Sequence, residues 1–80
     1  MDEVTLSSLS PGERGVVVKI AASTPAVRQR LLEMGLVKGT PLEVIRYAPM
    51  GDPIEVKVRG YRLSLRKGEA AAVHIKKDLS

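Results

Sequence analysis

Side chains able to do chemistry are few in this chain, and they are scattered. His74 is the sole histidine and cysteine is absent. A metal centre closed by thiolates or by several imidazoles therefore cannot be assembled within one copy. No tight Fe²⁺ or Zn²⁺ site is expected in the monomer, and no cofactor. His74 alternates with Val73 and Ile75, which places it on the outer face of a strand, where a lone imidazole is normally inert. Asp52 and Glu55 lie near each other, but the sequence supplies no histidine or lysine that makes them an acid/base pair. No catalytic residue is assigned. Met34 is expected in the core and Met50 in a loop. Gly12-Glu13-Arg14-Gly15 has the spacing of a KH-type GXXG loop, but that loop joins two helices, whereas this one joins a turn to a strand. Gly35 to Gly39 spells GxxxG outside any apolar span, so it is not a membrane dimer motif. Both patterns read as turn glycines.

Charge is more informative. The net charge is +4, which favours an anionic partner. From Ile54 to Lys77 the chain carries Lys57, Arg59, Arg62, Arg66, Lys67, Lys76 and Lys77 against Glu55 and Glu69. On alternating strands these side chains mostly face outward. They form either a solvated face or a contact for acidic protein or lipid headgroups. Aromatic content limits the choice: there are 2 tyrosines and no Phe or Trp. Single-stranded nucleic acid is held by stacking bases on aromatic rings, and proline-rich peptides dock in aromatic-lined grooves. Neither partner is expected.

Eighty residues make one domain, 1–80, with a modest core and marginal stability. No apolar run approaches the ~20 residues of a membrane span. The acidic start Met1-Asp2-Glu3 lacks the basic region of a signal peptide. A cytoplasmic location is expected.

The elements that must position these residues are legible in turn. Thr24 to Gly39 predicts the one real helix. Thr24 is an N-cap whose hydroxyl can accept from a first-turn amide. Pro25 sits at the first helical position, where a missing N–H costs nothing. Gly35 is the stop, with Leu36 placed to touch Leu31 as in a Schellman motif. Val27, Leu31 and Met34 recur on one face, widened by Leu32. Arg28, Gln29, Arg30 and Glu33 lie on the other. Here the arginines come early and the glutamate late, against the helix dipole by roughly 0.3–1 kcal/mol per exposed charge.

Strands are predicted at Gly15–Ala22, Leu42–Ala48, Ile54–Val58, Tyr61–Leu65 and Ala71–Lys76. Met1 to Ser10 reads as a lead-in anchored by Leu6 and Leu9. Pro49 to Pro53 is a loop, Gly39 falls in a turn, and Lys67-Gly68-Glu69-Ala70 is a turn, at most one turn of helix. A tight turn at Gly60 makes the middle pair a hairpin. Either Arg59-Gly60 or Gly60-Tyr61 can be its loop, and both registers bury the same residues. Five short strands with one helix between the first two predict a mainly β fold. Closure removes exposed edges, so the expectation is a small SH3-like β-barrel with an inserted α-helix.

Several stretches together resemble one family. Arg30-Leu31-Leu32-Glu33-Met34-Gly35-Leu36 and Gly39 come first. Ala48-Pro49-Met50-Gly51-Asp52-Pro53-Ile54 follows, then Leu63-Ser64-Leu65-Arg66 and Glu69-Ala70. In this order and spacing they are similar to the FeoA family, from about Leu6 to Lys76. The resemblance implies a small cytosolic SH3-like protein, without catalytic residues, that supports bacterial ferrous iron uptake through the membrane transporter FeoB. The expected function is a non-enzymatic adaptor, placed at the inner face of the membrane through that partner and at most a weak homo-oligomer. The alternative is a metal-responsive or nucleic-acid-associated SH3-like module, as appended to some iron-dependent repressors. The expected docking surface is the helix with its neighbouring loop: Arg28, Arg30, Glu33, Met50 and Asp52. The competing surface is the basic hairpin: Lys57, Arg59, Arg62 and Arg66. Thr24, Pro25, Gly35 and Gly39 are structural.

Overall fold

The alternating apolar residues become strands of one antiparallel sheet in a computed structural model, which describes residues 3–22 and 24–78. The elements in chain order are β1 (Glu3–Thr5), a 3-10 turn (Leu6–Ser8), β2 (Arg14–Ile20), α1 (Pro25–Glu33), β3 (Pro41–Tyr47), β4 (Ile54–Val58), β5 (Tyr61–Leu65), α2 (Lys67–Ala70) and β6 (Val73–Lys77). The strand order is β1-β6-β2-β3-β4-β5. Two expectations change. The sheet has six strands rather than five: β1 lies within the expected lead-in, whose first two residues fall outside the described ones. The sheet is also open rather than a closed barrel, since among the described residues no ladder joins β5 to β1. β1 is only three residues long before the chain turns to bury Leu6, so it offers little ladder to close with.

Two register shifts coil the sheet: one lies between Val17 and Lys19 against β6, the other between Val44 and Arg46 against β4. Such bulges sharpen local twist. The inner face then wraps an aliphatic core that includes Val17, Val44, Val56, Leu65, Val73 and Ile75, closed by Leu6 and Leu9. Gly15 marks a close approach of β2 to β6. A Cβ there would run into Ile75 and lie 2.7 Å from the Lys76 carbonyl oxygen.

The helix forms as its caps dictate. The Thr24 hydroxyl accepts from the Val27 amide at 3.3 Å. At the far end Leu36 N–H reaches the Leu31 carbonyl at 3.2 Å, and Gly35 N–H the Leu32 carbonyl at 3.0 Å. That is the Schellman pair, with Gly35 at φ +94. Leu31 is fully buried, while Val27, Leu32 and Met34 pack half-buried against the core. Among the described residues no helix is long and apolar enough to cross a membrane.

In the β4–β5 hairpin Val58 faces Tyr61, Val56 faces Leu63 and Ile54 faces Leu65. The loop is therefore Arg59-Gly60. Both residues have positive φ, 51 and 88, as a type I′ turn requires.

Candidate functional site

The helix and the Pro49–Pro53 loop meet through α2. Asp52 Oδ1 accepts from the Lys67 amide at 3.0 Å. Glu69 Oε1 accepts from the Arg66 amide at 2.9 Å, and its Oε2 lies 2.9 Å from Arg30 Nη1. Glu69 is a buried carboxylate, its side chain 10% exposed. The structure thus brings Arg30 and Asp52 to the N-terminal end of one short helix. It also accounts for the arginines that oppose the helix dipole: Arg30 serves Glu69, and Arg28 Nη1 donates to the Ile20 carbonyl at 3.0 Å. Both bind inside the chain, so their position no longer calls for an outside partner. Glu33 accepts from Gln29 Nε2 at 3.1 Å. Met50 is different. It is 92% exposed, at the tip of a turn closed by the Gly51 amide on the Ala48 carbonyl at 2.7 Å.

The hairpin forms the second candidate surface. Arg62 Nη1 lies 3.4 Å from Glu55 Oε2, and Arg46 Nε lies 2.8 Å from Glu55 Oε1. Arg46, hydrogen-bonded to Glu55, is the main reason that this carboxyl is held below its ordinary pKa, with Arg62 contributing less. Arg59 Nη2 donates to the Thr40 hydroxyl at 3.3 Å. Lys57 and Arg66 make no ion pair among the described residues. Tyr61 joins the two surfaces, for its hydroxyl donates to the Met34 carbonyl at 2.7 Å at the end of α1.

His74 lies on β6, half-buried, its Nδ1 2.9 Å from Glu3 Oε2. Glu3 is also 3.9 Å from Lys19 Nζ. Among the described residues no group of three or more His, Cys, Asp or Glu is gathered in a way that could hold a metal ion. Across the molecule, Tyr47 donates to the carbonyls of Ser7 and Leu9 at 3.0 and 2.6 Å. Burial raises its phenol pKa, and the nearby Glu13 charge adds to this. Sequence reasoning missed Glu69 as a buried acid. The signal was present but faint: a glutamate three residues after Arg66, at the start of a short helix, is where a carboxylate can reach back to an amide.

Comparison with known proteins gives this geometry a setting. The model of the FeoA domain family matches residues 4–77. A curated relative from Porphyromonas gingivalis, a fusion of Fe(2+) transport protein A with the Fe(2+) transporter FeoB, is 36% identical over 70 residues. The match takes in 88% of this chain but spans only 8% of that relative's length. The solution structure of the FeoA protein from Chlorobium tepidum is 45% identical, with a TM-score of 0.85, covering 96% of this chain and 71% of that one. FeoA from Stenotrophomonas maltophilia, crystallised with zinc and described as an SH3 domain protein, is 33% identical with a TM-score of 0.80. That match covers 91% of this chain and 89% of the other.

Proposed function

The chain belongs to the FeoA family, and from that premise we propose that it is a non-enzymatic adaptor that docks on a FeoB-type ferrous iron transporter at the cytoplasmic face of the membrane. The observation that carries this reading is the fusion of the two proteins in the Porphyromonas gingivalis relative. Fusion fixes two partners at high effective concentration, which serves proteins that work in contact.

Within this reading the loop tip is the apolar contact. Met50 projects from a short loop held by Pro49 and Pro53 and by the Ala48 amide on the Pro53 carbonyl at 2.9 Å. Such a loop loses little freedom on binding, and methionine adapts to irregular apolar surfaces. Arg30, through Glu69, and Asp52, through the Lys67 amide, tie α1 and the loop to α2, while Arg28 fastens α1 to the end of β2 and Glu33 is held by Gln29 within the helix.

The test is retention of the detergent-solubilised transporter by the tagged full chain, with iron uptake measured in a strain lacking the chain. Binding and restored uptake are expected, and Met50→Ala should weaken both without moving the melt, since an exposed side chain away from special features changes stability by less than ~0.5 kcal/mol. Absence of both binding and an uptake defect refutes the adaptor reading.

A further inference from the structure

Strand β5 is hydrogen-bonded to β4 on one side and, among the described residues, ends the sheet on the other. The two-residue turn fixes which backbone groups β4 uses. The pair closing such a turn, Val58 with Tyr61, exchanges both hydrogen bonds, and so do the alternate pairs Val56–Leu63 and Ile54–Leu65. The amides and carbonyls of Arg62 and Ser64 therefore point away from β4. Both residues are exposed. The opposite edge, β1, has three residues and ends in a 3-10 turn. β5 has five residues in unbroken register and no proline. Proteins blunt such edges with bulges, prolines, very short strands or charged side chains, and β5 has only the last of these. That charge is of one sign.

The strand register lines up a row on the outer face: Arg14 with Glu43, Glu43 with Lys57, and Lys57 with Arg62. The signs alternate until the last step, where two cations stand side by side at the open edge. Like charges directly opposite are unfavourable, and an acid in the next place along the row relieves this pair. Between Ile54 and Arg66 the only acid is Glu55, which Arg46 already holds at 2.8 Å and Arg62 reaches at 3.4 Å.

We infer that the β5 edge accepts an extended acidic segment of a protein partner as an added strand. The backbone of Arg62 and Ser64 sets its register, and an acidic side chain sits beside Arg62 at the end of the row. This is strand addition, in which main-chain bonds give affinity and alternate side chains give specificity. A second copy of this chain fits poorly, because it would bring Arg62 and its neighbours against their own kind. The inference rests on the adaptor reading only in taking the partner to be a protein.

The probe is an acetylated peptide of alternating glutamate and valine, titrated into the isotope-labelled full chain, with lysine replacing glutamate as control. The expected result is a shift and slowed exchange of the Arg62 and Ser64 amides, with affinity falling roughly tenfold between ~50 and ~500 mM salt. Ser64→Pro removes an N–H that β4 does not use, at an edge where proline is tolerated. It should keep the melt and lose about tenfold in affinity, ~1.4 kcal/mol. Arg62→Gln leaves the backbone intact and should lose affinity for the acidic peptide alone. No binding up to millimolar peptide, equal binding of the lysine peptide, undiminished binding to Ser64→Pro, or self-association through this edge each overturns the inference. The solubilised transporter separates the two readings. Its retention by the parent and by Ser64→Pro alike sinks the edge and keeps the adaptor. Peptide binding with no transporter retention keeps the edge and sinks the adaptor.

Discussion

Arg30 and Arg62 are arginines on surface elements, each within reach of a glutamate, yet they stand in different surroundings. Arg30 meets Glu69 at 2.9 Å, and that carboxylate is 10% exposed and already accepts the Arg66 amide. Arg62 meets Glu55 at 3.4 Å, where the carboxylate is 21% exposed and shared with a closer Arg46. The first pair ties α1 to α2 and through Asp52 to the loop. The second links β5 to β4, which their own ladder already joins, and it shares Glu55 with a closer arginine. Buried carboxylates with specific partners are costly to break, while exposed pairs contribute ~0–1 kcal/mol. On the helix side, then, charge is committed to the fold and an apolar tip is left outward. On the hairpin side, charge is held in reserve.

The largest effect expected from this contrast is at Glu69. Glu69→Ala removes the acceptor of the Arg66 amide and the partner of Arg30. Loss of charge-assisted hydrogen bonds at a buried site costs about 2–3 kcal/mol, and in a domain this small each kcal/mol lowers the melt by ~4–8 °C. Arg62→Ala is expected to move it by a few degrees at most. Equal melts for the two variants would erase the distinction between the sides.

Gly35→Val comes next. Its backbone sits at φ +94, and an added Cβ would meet the Tyr61 hydroxyl at 3.0 Å. A β-branched residue held at positive φ costs at least ~1–2 kcal/mol. A denaturant melt within experimental error of the parent would contradict the αL assignment at the end of α1.

These two positions also show how much the sequence discloses. Gly35 was readable because its message is local: an apolar helical face stops, a glycine follows, and Leu36 resumes. The same holds for Thr24, Pro25, the hairpin and the inward alternation of Ile54, Val56 and Val58. Glu69 was not readable, because its partner Arg30 is distant in sequence and only the tertiary fold brings them together. Arg28 fails for a related reason, since its acceptor is the backbone carbonyl of Ile20, which carries no side-chain signature. β1 escaped because three residues cannot display a period. The hairpin loop was open in the sequence, since both registers bury the same face, and only the strand pairing fixes it. Met50 was identified as a loop methionine from its prolines and glycine, and the structure places it outward, 92% exposed.

Tyr61→Phe sharpens the comparison at the seam. The hydroxyl donates to the Met34 carbonyl at 2.7 Å, linking hairpin to helix at an exposed point. A net hydrogen bond in such a place contributes about 0.5–1 kcal/mol. The expected melt lies between those of Glu69→Ala and Arg62→Ala. Amide exchange should rise at the last turn of α1 and leave β4 protected. Loosening of the whole hairpin instead would show that β5 depends on the helix, and the two sides would then have to be treated as one.

The smallest effect is a pH dependence, and it asks how firmly Glu55 is tied to each arginine. Arg46 chiefly, and Arg62 less, hold the Glu55 carboxyl below its ordinary 4.5. Lys77, followed by the Ser10 amide, does the same for Glu13. A carboxyl depressed in the folded state contributes stability that is fully present above its unfolded pKa and is lost as pH falls through the folded value. The parent should therefore lose stability on the acid side of 4.5. Glu55→Gln should flatten part of that slope, and adding Glu13→Gln should flatten more. The discriminating pair is Arg46→Gln against Arg62→Gln, compared by thermal melts across that acid window. Arg46→Gln should remove most of the Glu55 share, because its hydrogen bond is the shorter one and the main cause of the depression. Arg62→Gln should leave most of it in place. If Arg62→Gln flattened the slope as much as Arg46→Gln, Arg62 would be bound to Glu55 as Arg30 is to Glu69, and the open edge would have no charge in reserve for a partner.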